Sequence, residues 1–581
     1  MRNKRTLVFL FLIVCAVYAN GLSSGFVWDD NTLIVQKQAF FNNPTNAIRI
    51  LTSPDAPLGV ITPYYRPLNT LTYMLDHYLW GLHPFWYHLE NVLIHAIVVM
   101  LFYMLLVEVF GDGRFAFISA LLFAVYPVNA EAVDFISARN ALLCTAFSLA
   151  CLLFVAKGGL KWTLLSLLAY LLALLSKEPA AVLPFFLLSF ALTSGGQWKD
   201  KYKTHKYAAA GFFAITAIYF MIRLLILGSF TPRGGIEFSL ERLEFVSSVY
   251  FENFRLMFFP FELNANYTPE ALPFGWMQAA GTVLSVLFLF YFSLARKIPS
   301  PVRAGAQWIF WGLLPVSNII KIPSAPVAER YQYAIIFGFA VIPGYLFSRV
   351  QGKKAVAGAA AAAVLALALG LRTFERNFVW KDDISLFSSM IHENPRNAEA
   401  YCNLGTFYGS TGNTEEAIGE FEAARSLGYP KAWMNLGIAY TKEGRIEDAI
   451  TQFKTALAID PGLTEAMAHL GVAYEQDGRL GEAEREYKTA LAIDPGLTET
   501  QVNLGVVYAK EGRFDDAVRE LKGALAFDPG LDLARMDIGV VYMEEDQLNE
   551  AAREFRMAIA LNPGNKQAIR YLDGVERRME R

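Results

Sequence analysis

Charge is scarce in this chain. Asp, Glu, Lys and Arg make up only 18% of its 581 residues, against 54% hydrophobic residues. So apolar a composition excludes a purely soluble protein, and the length excludes a single domain. Cysteine is rarer still. Cys15, Cys144, Cys151 and Cys402 show no zinc-ligand spacing. Cys144 and Cys151 stand seven apart on one helical stretch, where a disulfide cannot close. All four read as small buried hydrophobes. His77, His83, His88 and His95 cluster, but they lack the i, i+4 spacing of a helical metal site. They read as anchoring or hydrogen-bonding groups. No glycine-rich nucleotide loop, Walker motif or Ser-His-Asp context is present. A cytosolic nucleotide-sugar donor therefore has no visible site.

The charges that are present divide the chain. Residues 380–581 hold 22 of the 51 basic and 35 of the 54 acidic residues, a net −13, while the remainder, with 29 and 19, carries +10. The acidic part argues against nucleic acid as a partner. The basic excess before it is that of cytoplasmic membrane loops.

Apolar segments recur at 6–22, 87–110, 115–128, 138–156, 161–176, 179–194, 207–228, 274–295, 304–320, 331–349 and 354–372. They predict an all-α, polytopic membrane domain over 1–375 with about 11 spans. The first segment has the make-up of a signal peptide, but the many that follow favour a retained helix. The stretch 245–261 carries Glu252 and Arg255 and reads as an amphipathic interfacial helix. If it does not span, the basic clusters at 2–5, Arg114, Lys157 and Lys161, 199–206, 296–303 and 349–354 all fall on the cytoplasmic side. The N-terminus is then cytoplasmic. The connections 25–86, 126–140, 176–179, 229–273 and 321–330 lie together on the outer side, as does everything after the last span.

A linker over 376–394 leads into a repeat. Gly437, Gly471, Gly505 and Gly539 follow at intervals of 34, the period of tetratricopeptide repeats. Tyr440, Tyr474, Tyr508 and Tyr542 keep that period, as do Ala449, Ala483, Ala517 and Ala551, and Pro461, Pro495, Pro529 and Pro563. Five repeats over 395–562 and a polar capping helix over 563–581 predict an α-solenoid. From Gly405 to Gly437 the interval is 32, so a tighter turn is expected at Leu427-Gly428-Tyr429-Pro430. Such arrays bind peptides or proteins, or serve as assembly platforms.

Charges converging on one membrane surface mark a functional site. Trp28-Asp29-Asp30 puts two carboxylates directly after the first span. Sugar transfer from a lipid phosphate needs a base for the acceptor hydroxyl, cations for the leaving phosphate and a groove for the lipid. Asp29 or Asp30 could be the base, and Arg66, Arg139, Lys177 and Arg330 are outer-side cations suited to phosphate. Each has a plainer reading. Asp30 could cap a helix beginning near Asn31, Arg66 could orient its loop before Pro67, Arg139 could pair with Glu131, and Lys177 with Glu178. A divalent ion on the acidic pair also fits, although no ligand spacing calls for one.

An ordered set of motifs now adds a resemblance. Gly25-Phe26-Val27-Trp28-Asp29-Asp30, Tyr65-Arg66-Pro67-Leu68 and Pro84-Phe85-Trp86-Tyr87-His88-Leu89-Glu90-Asn91 come first. The run from Leu122 to Val133 with Ser137-Ala138-Arg139, then Leu175-Ser176-Lys177-Glu178 and Ala328-Glu329-Arg330-Tyr331, complete it. Together with the repeats, the set resembles the transmembrane and tetratricopeptide-containing O-mannosyltransferases over nearly the whole chain. The resemblance implies a GT-C-type glycosyltransferase that moves a hexose, mannose, from a polyprenyl-phosphate sugar to a protein hydroxyl. Catalysis would rest on Asp29 and Asp30, with Glu131, Glu178 and Glu329 in support. Gln332 and Ala334 depart from the family's usual Leu-Tyr-Leu-Pro after Glu329-Arg330-Tyr331, which leaves sugar and acceptor open. The compact loops suggest a bacterial inner-membrane version using undecaprenyl phosphate. A non-catalytic membrane scaffold for envelope assembly is the competing reading. A transporter is the weaker third, because no paired broken helices are evident.

Overall fold

The computed structural model describes residues 2–53, 64–193, 206–228, 239–269, 272, 275–321 and 325–580. Residues 199–205 of the basic cluster, and parts of the connections 25–86, 229–273 and 321–330, lie outside the described residues. Among the described residues the regular secondary structure is helical, apart from one isolated bridge between Tyr267 and Val327. It divides into two compact units, Met1–Pro395 and Arg396–Arg581.

In the first unit, every apolar segment forms a helix: α1 (Arg2–Val17), α4 (Pro84–Phe110), α5 (Gly113–Ala124), α7 (Arg139–Lys157), α8 (Leu160–Ser176), α9 (Leu183–Thr193), α10 (Lys206–Leu227), α12 (Trp276–Leu294), α13 (Ser300–Val316), α14 (Ile336–Ser348) and α15 (Ala355–Asn377). Between them lie α2 (Asp29–Leu33), α3 (Pro67–Trp80), α6 (Asn129–Asp134) and α11 (Leu240–Phe258), and α16 (Asp383–Glu393) closes the unit. The sequence predicts about 11 spans. Five of these helices are long and apolar enough to cross a membrane: α4, α7, α10, α12 and α15. The other six are shorter than 18 residues. α11 is amphipathic, as its sequence predicts, with Glu252 and Arg255 paired at 2.7 Å.

Local chemistry sets the helix ends. Pro67 and Pro84 open α3 and α4 at the first turn, where the missing N–H costs nothing. Gly111 ends α4 in the left-handed region, and Asp112 then caps α5 by accepting from the N–H groups of Arg114 and Phe115. α1 is integral to the bundle. It packs on α4, α5 and α15, and Leu10, Val14 and Tyr18 are wholly buried. α13 and α14 touch backbone to backbone: a Cβ on Gly305 would sit 2.6 Å from the Gly338 carbonyl oxygen, and one on Gly338 would sit 2.5 Å from that of Gly305. Small residues permit such close crossings where apolar surface alone gives little drive between membrane helices.

The second unit is a ladder of helix pairs. The glycines that set the period lie where the two helices of a repeat meet. A Cβ on Gly437 would come within 2.6 Å of Phe453 and one on Gly539 within 2.7 Å of Phe555, while one on Gly471 would press still closer to Tyr487. The recurring tyrosines are capped by arginines of the following turn: Arg445 lies 4.0 Å over Tyr440, Arg479 4.5 Å over Tyr474 and Arg513 4.0 Å over Tyr508. The short first interval has a simple origin. Helix Thr414–Ser426 has 13 residues where its counterparts have 14, and three residues rather than four connect it to Pro430–Lys442.

Candidate functional site

The segment before α2 is pinned from several sides. The Gly25 N–H donates to the Lys381 carbonyl at 2.9 Å, and His88 Nε2 donates to the Gly25 carbonyl at 3.2 Å. Trp28 holds a positive φ of 51°, which a non-glycine residue adopts only under constraint, at about 1–3 kcal/mol. Its ring stacks on Phe135, which stacks in turn on Trp380.

The two aspartates separate at this point. Asp30 is wholly buried. Its Oδ1 accepts from the Ser137 N–H at 2.8 Å and from the Ser137 hydroxyl, and its Oδ2 accepts from the Val27 N–H at 3.2 Å. Burial pushes its carboxyl up to about 7 despite those donors. It does not cap a helix beginning near Asn31, because α2 already includes Asp29 and the Asp30 carboxylate turns back to Val27. Asp29 is half-buried and lies within electrostatic reach of Arg330.

Arg330 is anchored by Glu131 of α6. The Arg330 N–H donates to Glu131 Oε2 at 2.7 Å, and its guanidinium binds Oε1. Glu131 therefore pairs with Arg330, not Arg139. The guanidinium lies 5.4 Å from the Tyr331 ring centroid, and the Lys177 ammonium sits at the same distance from that ring. Lys177 stands at the end of α8 with only 8% exposure. Burial, then the charges of Arg66 and Arg330, pull its ammonium down to about 7. Among the described residues it makes no salt bridge. Glu178, its expected partner, instead takes Arg66 at 2.9 Å and Arg223 of α10 at 3.1 Å. Burial opposes the charge on Glu178, but the two arginines hold its carboxyl below the usual range.

Lys177 and Arg330 thus flank the Tyr331 ring, Arg66 lies within electrostatic reach of Lys177 and Tyr331, and Asp29 lies within reach of Arg330. Arg139 does not join them. It is wholly buried, bound to Asp76 and, at 3.4 Å, to Glu90, and it donates to Asn91 Oδ1 at 2.8 Å and to the Tyr87 carbonyl at 3.1 Å. Glu329 pairs with none of the three, being buried against Arg376 of α15 at 2.6 Å.

Among the described residues, no group of three or more His, Cys, Asp or Glu side chains is arranged to hold a metal ion. With both oxygens of Asp30 taken by donors, the acidic pair does not offer two open carboxylates to one. The histidines hydrogen-bond: His95 Nδ1 lies 2.6 Å from the Tyr333 hydroxyl and its Nε2 lies 3.3 Å from the Ala124 carbonyl. All four cysteines are free; Cys144, Cys151 and Cys402 are buried as expected, whereas Cys15 is only half-buried.

A small apolar cavity of about 90 Å³ lies among α4, α7, α9, α13 and α14, lined by Phe102, Leu106, Leu152, Phe186, Trp308 and Phe337 among others. Trp308 of its lining donates to the Ala334 carbonyl at 2.6 Å.

Sequence reasoning missed Asp76, Arg223, Arg376 and Asp383. Arg223 and Arg376 had a signal, since each is a charge within a largely apolar helix, where charges need buried partners. Nothing local distinguishes Asp76 or Asp383.

Comparison with known proteins agrees with this organisation. Residues 75–222 match the family described as dolichyl-phosphate-mannose-protein mannosyltransferase. Residues 386–419, 430–463, 464–497 and 508–572 match tetratricopeptide repeat families. The chain's homologues are protein O-mannosyl-transferases. It is 25% identical over 477 residues to protein O-mannosyl-transferase TMTC3 of Mus musculus, covering 72% of this chain and 50% of that protein. To protein O-mannosyl-transferase F38B6.6 of Caenorhabditis elegans it is 26% identical over 454 residues, covering 71% and 61%. The chain therefore spans half to three-fifths of the length of these relatives. Among solved structures, a thermophilic tetratricopeptide protein of Thermus thermophilus is 25% identical over 30% of this chain and 97% of its own, with a TM-score of 0.28.

Proposed function

We propose that this chain is a GT-C-type membrane glycosyltransferase that moves a mannosyl group from a polyprenyl-phosphate carrier to a protein hydroxyl on the extracytoplasmic side. The observation that carries this reading is the convergence of Arg66, Lys177 and Arg330 next to Asp29, with Lys177 lacking an ion-pair partner among the described residues. Arg66 and Arg330 each have a glutamate partner, but Lys177 is buried beside both guanidinium groups, and a phosphate there would relieve the repulsion it feels. The homologues named as O-mannosyl-transferases and the match over 75–222 support the sugar and the reaction.

Asp29 takes the proton of the acceptor hydroxyl as that oxygen attacks the anomeric carbon. The bond from that carbon to the phosphate oxygen breaks, and the electron pair leaves with the carrier phosphate, whose charge meets Lys177, Arg66 and Arg330. Asp30, Glu131 and Glu178 hold these groups in place. With about 11 crossings and a cytoplasmic N-terminus, the site and the repeats share the outer side, where the repeats bind the acceptor or a partner protein. A bacterial inner membrane, with undecaprenyl phosphate as carrier, fits this topology.

The test is a transfer assay with the purified chain in lipid vesicles, a hydroxyl-bearing peptide acceptor and a panel of polyprenyl-phosphate sugars. Transfer from polyprenyl-phosphate mannose, with a donor KM raised by Lys177→Met, is the expected result. Transfer from a nucleotide sugar but from no lipid-linked donor would sink the proposal.

A further inference from the structure

Trp28 is the one aromatic among the three described non-glycine residues with positive φ. It immediately precedes Asp29. At φ 51°, ψ −118° a glycine would sit without strain, and a tryptophan would not. Something must hold it, and the holding groups come from the far end of the unit. The Trp28 N–H donates to Asp383 Oδ1 at 2.8 Å, and the Asn31 amide donates to Asp383 Oδ2 at 3.3 Å. One carboxylate therefore straps both sides of Asp29, reaching back 355 positions to Trp28. The same stretch supplies the Lys381 carbonyl to Gly25 and the buried Trp380 ring to the stack over Phe135.

A helix-terminal aspartate has a plainer use, which is to cap its own helix. That role is already filled. Asp382 caps α16 by accepting from the Ser385 N–H at 2.8 Å, leaving the Asp383 carboxylate for the Trp28 loop.

We infer that Asp383 is a positioning residue for Asp29: it holds Trp28 in its strained turn and so aims the Asp29 carboxylate at the cation cluster. Without it, Trp28 relaxes to negative φ, the peptide joining Trp28 to Asp29 rotates, and the carboxylate swings off its target. Arg66 and Arg330 are held by Glu178 and Glu131 rather than by Asp383, although Arg330 also lies 5.8 Å from the Phe135 ring of the stack. The inference rests on the proposed sugar transfer for its kinetic consequence, but not for its structural one.

The experiment uses the full chain in lipid vesicles, with wild type, Asp383→Ala and Asp383→Asn. The asparagine keeps an oxygen for the Trp28 N–H, and its neighbour Asn31 can turn its amide to match. With polyprenyl-phosphate mannose as donor, Asp383→Ala is expected to lower kcat by about 10²-fold, the effect of a misplaced catalytic group, while leaving the donor KM within about twofold. Asp383→Asn is expected to restore most of kcat. Hydrogen exchange of the peptide covering 25–34 is read on the same samples. It should quicken at least about tenfold in Asp383→Ala and stay near wild type in Asp383→Asn. If Asp383→Ala does not fold, Asp383→Ser, too short to reach Trp28, takes its place. Unchanged kcat in the short variant, a donor KM that rises with it, or loss in Asp383→Asn equal to that in Asp383→Ala would each overturn the inference. Should wild type transfer no sugar, the proposed function fails while the exchange data still decide the strap: no quickening in Asp383→Ala overturns it.

Discussion

Asp29 and Asp30 are neighbours in the chain and occupy different electrostatic worlds. Asp30 accepts three hydrogen bonds in a sealed pocket, whereas Asp29 is half-buried and sensed by Arg330. An amide at position 30 sets an N–H donor against a backbone N–H on one side or the other. Asp30→Asn is therefore expected to destabilise the fold by about 1–3 kcal/mol, the cost of a buried unsatisfied donor, and chemical denaturation of the membrane unit measures it. Lys177 makes a different prediction. Its ammonium is drawn down to about 7 by burial and by Arg66 and Arg330, and a bound phosphate draws it back up. Below that pH the lysine is charged and ready. Above it, donor binding must take up a proton, so the donor KM should climb by up to about tenfold per pH unit. In Lys177→Arg, which stays charged, KM should be flat from about pH 7 to about pH 9. Steady-state kinetics across pH separates the two.

At the scale of elements, helices are joined by what they leave out. The glycine of each repeat lies where a Cβ would strike the partner helix. In a helix, Gly→Ala ordinarily stabilises by about 1 kcal/mol. At Gly419, where nothing lies within 4 Å, that sign should hold. At Gly471 the added Cβ would collide with the Tyr487 ring, so overpacking wins and Gly471→Ala should destabilise by about 1–3 kcal/mol. Thermal unfolding of the two variants tests the contrast. α6 and α15 work in a similar way in the first unit. Glu131 of α6 fixes Arg330, while Arg376 of α15 neutralises the adjacent Glu329. Breaking either pair leaves a buried charge, the costly outcome for such contacts.

At the scale of the molecule, the repeat unit has a core of its own: its main buried cluster runs from Cys402 to Val541 and draws on no residue before Arg396. A fragment over 396–581 is therefore expected to be soluble, helical and cooperatively unfolding. A circular dichroism spectrum without helix would contradict that. This unit is also the part most legible in the sequence, because its determinants are local: glycine, tyrosine, alanine and proline recurring with a 34-residue period. The apolar helices were legible for the same reason, although six are too short for length alone to fix the number of crossings. The outer-loop charges were legible as a set but not as pairs. Asp30 meets Ser137 across 107 positions, Arg139 meets Asp76 across 63, and Trp28 meets Asp383 across 355. Spacing in the chain carries no information about such partners. The pairings Arg139 with Glu131 and Lys177 with Glu178 were reasonable by proximity, and the fold replaced both.

The most direct measurement is turnover of polyprenyl-phosphate mannose onto a hydroxyl-bearing acceptor by purified wild type and Asp29→Asn, with thermal unfolding recorded on the same samples. A base removed from an intact site lowers kcat by about 10²–10⁴-fold and leaves Tm within about 2 °C. An Asp29→Asn enzyme that turns over like wild type, or that loses activity only as it unfolds, would contradict the account.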